Sequence, residues 1–199
     1  NEDLAKAYED WVAENPPVGI GDWTEPWSQA EMPVSEELVA DAASKSDKAI
    51  IVLGRTAGES KDASNTEGSF LLTSDERDLI QKVTGQFDHV AVLLNVGNII
   101  DMSWVEEYGV ESVMYVWHGG MEGGKAAADV VSGDVPASGK LSDTIAMSYE
   151  DYPSAGNFGK NEYNNYVEDI YVGYRYFETF APDKVLYPFG FGLTYTDFT

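Results

Sequence analysis

The spacing of apolar positions divides the chain into three regimes. Residues 1–34 mix Trp11, Trp23, Trp27, four prolines and many acids, and only residues 3–14 carry an amphipathic helical period. This stretch reads as an arm leading into the fold. From Ser35 the pattern becomes regular. Ser35 followed by Glu36 and Glu37 is an N-cap signal that opens a helix through Ala43, with Leu38, Val39 and Ala42 on one face. The run Ala49-Ile50-Ile51-Val52-Leu53, ended by Gly54, predicts a strand covered on both faces. Thr73-x-x-Glu76 is a capping box opening a second helix, with Leu79, Ile80 and Val83 sharing a face. A strand over 89–94, a short helix over 101–108, a strand over 112–117 and a Gly/Ala-rich helix over 121–132 follow. Such alternation implies an α/β domain with a mostly parallel sheet flanked by helices and right-handed crossovers. Beyond Pro136 the regularity fades: residues 139–147 predict an edge strand, 149–165 a polar loop, and 166–199 an extended aromatic wrap.

Composition narrows what such a domain can do. The 199 residues, 43% of them hydrophobic, suffice for one globular core. Thirty-five acidic residues against 12 basic ones give a net charge of -23, which argues against nucleic acid as a partner. The absence of cysteine excludes disulfides and thiolate metal sites. No apolar stretch is long enough to span a bilayer as a helix, so no membrane partner is expected, and the compartment is left open. The chain starts at Asn1, without an initiator Met, and is expected to be a piece of a larger protein.

In open α/β sheets, ligands collect beyond the carboxyl ends of the strands, which singles out three connections. The first, residues 54–73, is far longer than the roughly two to six residues that βα connections usually need. It contains Arg55, Gly58, Glu59, Lys61, Asp62 and Glu67, so a carboxylate can be held above the sheet, although a solvated surface loop has the same composition. The second, Asn95-Val96-Gly97-Asn98, is accounted for by turn chemistry. The third, His118-Gly119-Gly120-Met121-Glu122-Gly123-Gly124, lacks both the Gly-x-Gly-x-x-Gly fingerprint and the Lys-Ser/Thr ending of a phosphate loop, which argues against a nucleotide-binding domain. His89 and His118 are too isolated to form a metal constellation, and no Gly-x-Ser-x-Gly elbow is present. No metal or cofactor is expected. Acid/base work by carboxylates remains.

Six segments in register give the chain a resemblance. They are the apolar strand into Gly54-Arg55 and Gly58-Glu59; Leu93-Leu94-Asn95-Val96-Gly97; Trp117-His118-Gly119-Gly120-Met121-Glu122-Gly123-Gly124; Pro136-Ala137-Ser138-Gly139-Lys140-Leu141; the stretch from Glu168 to Phe177; and Tyr187-Pro188-Phe189-Gly190-Phe191-Gly192-Leu193-Thr194-Tyr195-Thr196. Over residues 35–198 the chain resembles the α/β sandwich that accompanies the catalytic (β/α)₈ barrel in glycoside hydrolase family 3, among β-glucosidases and β-xylosidases. The resemblance implies a three-layer sandwich over residues 35–199, with the arm, residues 1–34, packing on a neighbouring domain.

It also implies a retaining, exo-acting β-glycosidase in which a barrel Asp is the nucleophile and a loop Glu of the sandwich is the general acid/base. The matching residue is Glu59, and Glu67 is the fallback. The family often reads Gly-Glu-Gly-x-Asp-Arg here. This chain reads Gly58-Glu59-Ser60-Lys61-Asp62-Ala63, so the match rests on Gly58, Glu59 and Asp62. Lys61 becomes the candidate to steady Asp62, and Arg55, Gly58 and Asp62 are expected to support the loop or touch substrate. A barrel takes about 250 residues, more than the chain has, so the nucleophile lies elsewhere and the chain alone is expected to be inactive. The implied partners are a β-glycoside or oligosaccharide and the barrel of the parent protein. The alternative is a non-catalytic carbohydrate-binding or scaffold domain of the same fold. The aromatic tail is expected to serve packing, with Arg175 as a buried ion-pairing anchor for Glu168, Asp169 or Glu178.

Overall fold

A computed structural model describes residues 2–21, 24–56, 62–159 and 162–196. The chain divides into two units, one of residues 1–98 with 104–118 and the other of residues 99–103 with 119–199.

The first unit is built on a parallel three-stranded sheet in the order β1-β2-β3: β1 Lys48–Gly54, β2 His89–Asn95 and β3 Ser112–Tyr115. Helix α1 (Glu2–Glu14) occupies the arm. Helix α2 (Glu36–Ala43) starts where Ser35 Oγ accepts the Leu38 N–H, as the sequence requires. Helix α3 (Ser74–Thr84) carries the full capping box between Thr73 and Glu76 and packs on β1, β2 and α2. The short α4 (Trp104–Glu107) buries Trp104. Parallel strands with flanking helices confirm the α/β class. Ile51 and Leu53 of β1, Val90, Val92 and Leu94 of β2, and Ile80 and Val83 of α3 form the core.

One expectation fails on β1. Ile50 and Val52 are 53% and 59% exposed, so the strand is covered on one face only. It is the edge of the sheet, and with Leu4, Tyr8, Leu38 and Phe87 these two side chains line an open apolar groove.

The second unit contains α5 (Gly123–Ser132), closed by Gly133 in the left-handed conformation, and a two-stranded antiparallel sheet of β4 (Ile145–Ala146) and β5 (Val185–Tyr187). The strand expected over 139–147 is thus real only at its end and does not edge the parallel sheet. Its flanks hydrogen-bond to the same C-terminal segment, Leu141 N–H to the Phe191 carbonyl (2.8 Å) and Met147 N–H to that of Lys184 (2.9 Å). The aromatic tail is not wholly extended: it includes α6 (Tyr174–Phe180), whose Phe177 packs with Ala146 and Ala181 in a small core. Arg175 is exposed, not buried; its Nη1 donates to the Ile170 carbonyl (3.2 Å) and its guanidinium lies over the Tyr174 ring. Among the described residues, no helix is long and apolar enough to cross a membrane.

Candidate functional site

The carboxyl ends of the three strands are laced together. Arg55 N–H donates to the Asn95 carbonyl (3.1 Å), carrying the β1–β2 pairing one step past Gly54. Val116 and Trp117 N–H groups both donate to the Leu94 carbonyl (2.9 and 3.2 Å) as Trp117 adopts a φ of +57°. A bulky residue in that region is strained, and the turn it makes ends β3 before residue 117. The next side chain, His118, places Nε2 3.2 Å from the Arg55 carbonyl oxygen. A carbonyl only accepts, so Nε2 carries the proton.

Arg55 turns inward. Its side chain is 2% exposed and that of its partner Glu76 is fully buried. A guanidinium has five N–H donors, and here each finds an acceptor. Nε donates to the Ser69 carbonyl (3.2 Å); Nη1 donates to the Gly54 carbonyl (2.8 Å) and to Glu76 Oε1; Nη2 donates to the Leu71 carbonyl (3.3 Å) and to Glu76 Oε2 (2.7 Å). Glu76 Oε2 also accepts the Thr73 N–H (2.8 Å), so one carboxylate caps α3 and neutralises Arg55. Burying charge is tolerable when it is paired and fully hydrogen-bonded. Removing one partner from such a pair typically costs about 3–5 kcal/mol. Glu31 of the arm feels the same pair: burial and then the Glu76 charge hold its carboxyl above the ordinary value of 4.5, against the pull of Arg55.

The long connection is therefore fixed at both stems. On the entering side, Thr56 N–H donates to the Trp27 carbonyl (2.7 Å) and Thr56 Oγ1 to the Pro26 carbonyl, tying it to the arm. On the leaving side, residues 64–71 form a self-bonded turn, with Phe70 N–H on the Ser64 carbonyl (3.2 Å) and Leu71 N–H on that of Thr66 (3.1 Å). Phe70 and Leu72 plug it into the core.

Gly58, Glu59, Ser60 and Lys61 lie outside the described residues, as does Trp23. Asp62 is exposed where the description resumes. Glu67 is also at the surface, paired with Arg77 of α3 (2.5 Å). Arg55 has no free N–H to offer a sugar. Glu76 is the buried partner of Arg55 that local reading missed. Its capping box was visible, and a guanidinium that is itself buried needs a carboxylate. The glycine-rich third connection has a packing reason: a Cβ on Gly119 would lie 2.6 Å from Gly123 Cα. His89 Nδ1 lies 2.9 Å from Glu111 Oε2 at the opposite end of β2. Among the described residues, no group of three or more acids and histidines is arranged to hold a metal.

Residues 5–195 match the model of the glycosyl hydrolase family 3 C-terminal domain. The chain is 53% identical over its whole length to a β-glucosidase of Ruminococcus albus, spanning 21% of that protein. It is 40% identical to β-glucosidase A of Butyrivibrio fibrisolvens over 217 aligned positions, covering 96% of the chain and 26% of the relative. Among solved structures, 99% of the chain superposes on 22% of a β-glucosidase from Paenibacillus barengoltzii with a TM-score of 0.94 and 60% identity. A glucose complex of β-glucosidase 3B from Thermotoga neapolitana aligns with a TM-score of 0.86 and 36% identity, over 99% of the chain and 29% of that structure.

Proposed function

The chain belongs to the glycosyl hydrolase family 3 C-terminal domain family, and from that premise we propose that it supplies the acid/base half of a retaining, exo-acting β-glucosidase active site. Glu59 is the general acid/base. As the acid it protonates the departing glycosidic oxygen while a barrel Asp attacks the anomeric carbon; as the carboxylate it then takes a proton from the water that opens the glycosyl ester. The two carboxyl groups of a retaining pair stand about 5–5.5 Å apart, and the second comes from the part of the enzyme that this chain does not contain. The substrates are terminal β-linked glucosides or glycosides of similar sugars. The arm, residues 1–34, packs on the barrel.

The observation that carries this reading is the place of Gly58-Glu59: within a long connection at the carboxyl end of a parallel strand, between stems fixed at Thr56 and at residues 64–72. The β-glucosidase names of the relatives support the substrate class.

In the full-length enzyme, Glu59→Gln is expected to lose more activity on phenyl β-glucoside than on 2,4-dinitrophenyl β-glucoside, because a good leaving group needs little protonation. Azide should restore turnover of Glu59→Ala by replacing the activated water. An equal loss on both substrates without azide rescue would defeat the assignment. Tight binding of glucose or cellobiose by the 199-residue chain alone would favour a binding module instead.

A further inference from the structure

We propose that the open edge of β1 is the docking line for one further β-strand, contributed by the part of the same polypeptide that lies outside these 199 residues. This rests on the chain being one piece of a longer enzyme and is independent of Glu59.

Backbone direction defines the edge. Arg55 N–H donates to the Asn95 carbonyl of β2, and successive residues of a strand turn their N–H and C=O groups to opposite sides. Ile51 and Leu53 therefore face β2, whereas Lys48, Ile50 and Val52 face away from it. Both ends of this outer edge are closed. Ser46 Oγ accepts the Lys48 N–H (3.1 Å) and donates to the Lys48 carbonyl (2.9 Å), and Thr56 N–H donates to the Trp27 carbonyl (2.7 Å). Between these closures, and among the described residues, no strand lies on that side of β1. An apolar groove of about 460 Å³ lies there instead, lined by Ala49, Ile50, Ile51 and Val52 in succession. Side chains of consecutive strand residues alternate between the two faces, so the groove follows the edge of the sheet. Tyr8 of α1 and Leu38 of α2 line it too, and Glu31 is the only charged residue among those lining it.

An edge that stays in water is normally blunted by a charge, a proline or a bulge. Residues 49–53 contain no charge and no proline, and their pairing with β2 is unbroken. Such a run belongs in a parallel strand that has a neighbour on each side and cover on both faces. A second copy is a poor neighbour, because each copy carries a net charge of -23. The remainder of the parent is a ready one: the chain spans about a fifth of the β-glucosidases that it matches along its length. The strand that fits has apolar side chains on both faces and offers N–H and C=O groups to Ile50 and Val52.

The test is residue-resolved amide hydrogen exchange on the full-length enzyme, at a high and a low protein concentration. The outward amides of Ile50 and Val52 should exchange within about tenfold of the inward amides of Ile51 and Leu53, equally at both concentrations. Exchange more than about tenfold faster overturns the proposal, because the edge is then open to water. Protection that is lost on dilution identifies a second copy as the occupant and likewise overturns it. Val52→Pro separates strand pairing from cover of another kind, since it removes the outward N–H and spares the inward bonds to β2. If an added strand uses that N–H, Val52→Pro should melt well below Val52→Ala or fail to fold. Equal Tm values for the two variants mean that the edge is covered without being paired, and overturn the proposal. None of these outcomes bears on the leaving-group dependence of Glu59→Gln or on azide rescue, so the acid/base assignment stands or falls separately.

Discussion

Tyr152 concentrates packing and polar satisfaction in one side chain. Its ring stands edge-on to Phe177, with centroids 5.6 Å apart. Its hydroxyl accepts the Ala146 N–H (3.0 Å) and donates to the Thr144 carbonyl (3.1 Å), bridging the segment that enters β4. Burial pushes its ionisation up to about 12, opposed by the Ala146 N–H and reinforced by the charges of Asp143, Asp101 and Asp151. The neutral phenol is thus the form that the folded state prefers. A folded value above the ordinary 10.0 means that this contribution is complete below pH 10 and lost as pH rises through about 12. Tyr152→Phe should destabilise the protein by about 1–3 kcal/mol at neutral pH, because both backbone groups lose their partner. Urea melts across the alkaline range should then show the difference from wild type narrowing between pH 10 and pH 12. A difference that stays constant across that range would detach the hydroxyl from the pH dependence.

At the scale of elements, α3 carries two duties through one residue. Thr73 Oγ1 accepts the Glu76 N–H (3.1 Å), and Glu76 answers through Thr73 N–H while also holding Arg55. Thr73→Ala should cost about 1 kcal/mol in urea unfolding, the usual worth of an N-cap. A loss well above about 2 kcal/mol would mean that the cap also holds Glu76 in place for Arg55. The two duties differ in how readable they are. The box spans three residues, and Thr73-x-x-Glu76 announces it. The ion pair spans residues 55 and 76, and its geometry depends on how α3 lies against β1, which no local pattern encodes. The same division runs through the fold. The parallel strands and their helices were legible, because burial and capping repeat at short range. The open face of β1 was not, because a continuous apolar run reads the same in a central strand and at an edge. β4 was foreseen too long and in the wrong sheet, since its partner β5 lies some 40 residues away. α6 was hidden in the tail, where aromatics at mixed spacing mask the helical period, and β3 stops early because Trp117 turns into a strained conformation. In the candidate site, Gly58-Glu59 was singled out by the length and position of its connection and then by family resemblance, and it lies outside the described residues; the enclosure of Arg55 emerges from the fold.

Over the whole molecule, charge sets a stability that should depend on salt in an unusual direction. Acidic residues outnumber basic ones by 35 to 12, so even complete pairing would leave 23 negative charges without a partner. The surface pairs that do form, such as Lys6–Asp10 and Lys45–Asp41 at 2.7 Å, are exposed, and pairs of this kind contribute about 0–1 kcal/mol each. Salt weakens these attractions, but it also weakens repulsion among the unmatched carboxylates, and the second group is the larger. The buried Arg55–Glu76 pair is shielded from solvent and should scarcely respond. Raising NaCl from about 10 mM to about 0.5 M shortens the screening length from about 30 Å to a few ångströms, and Tm should rise with it. Substituting isolated surface acids by their amides should raise Tm at low salt and flatten its salt dependence. A Tm that falls as NaCl increases would mean that the exposed pairs outweigh the net repulsion, and would overturn the claim that the unmatched carboxylates dominate the salt response.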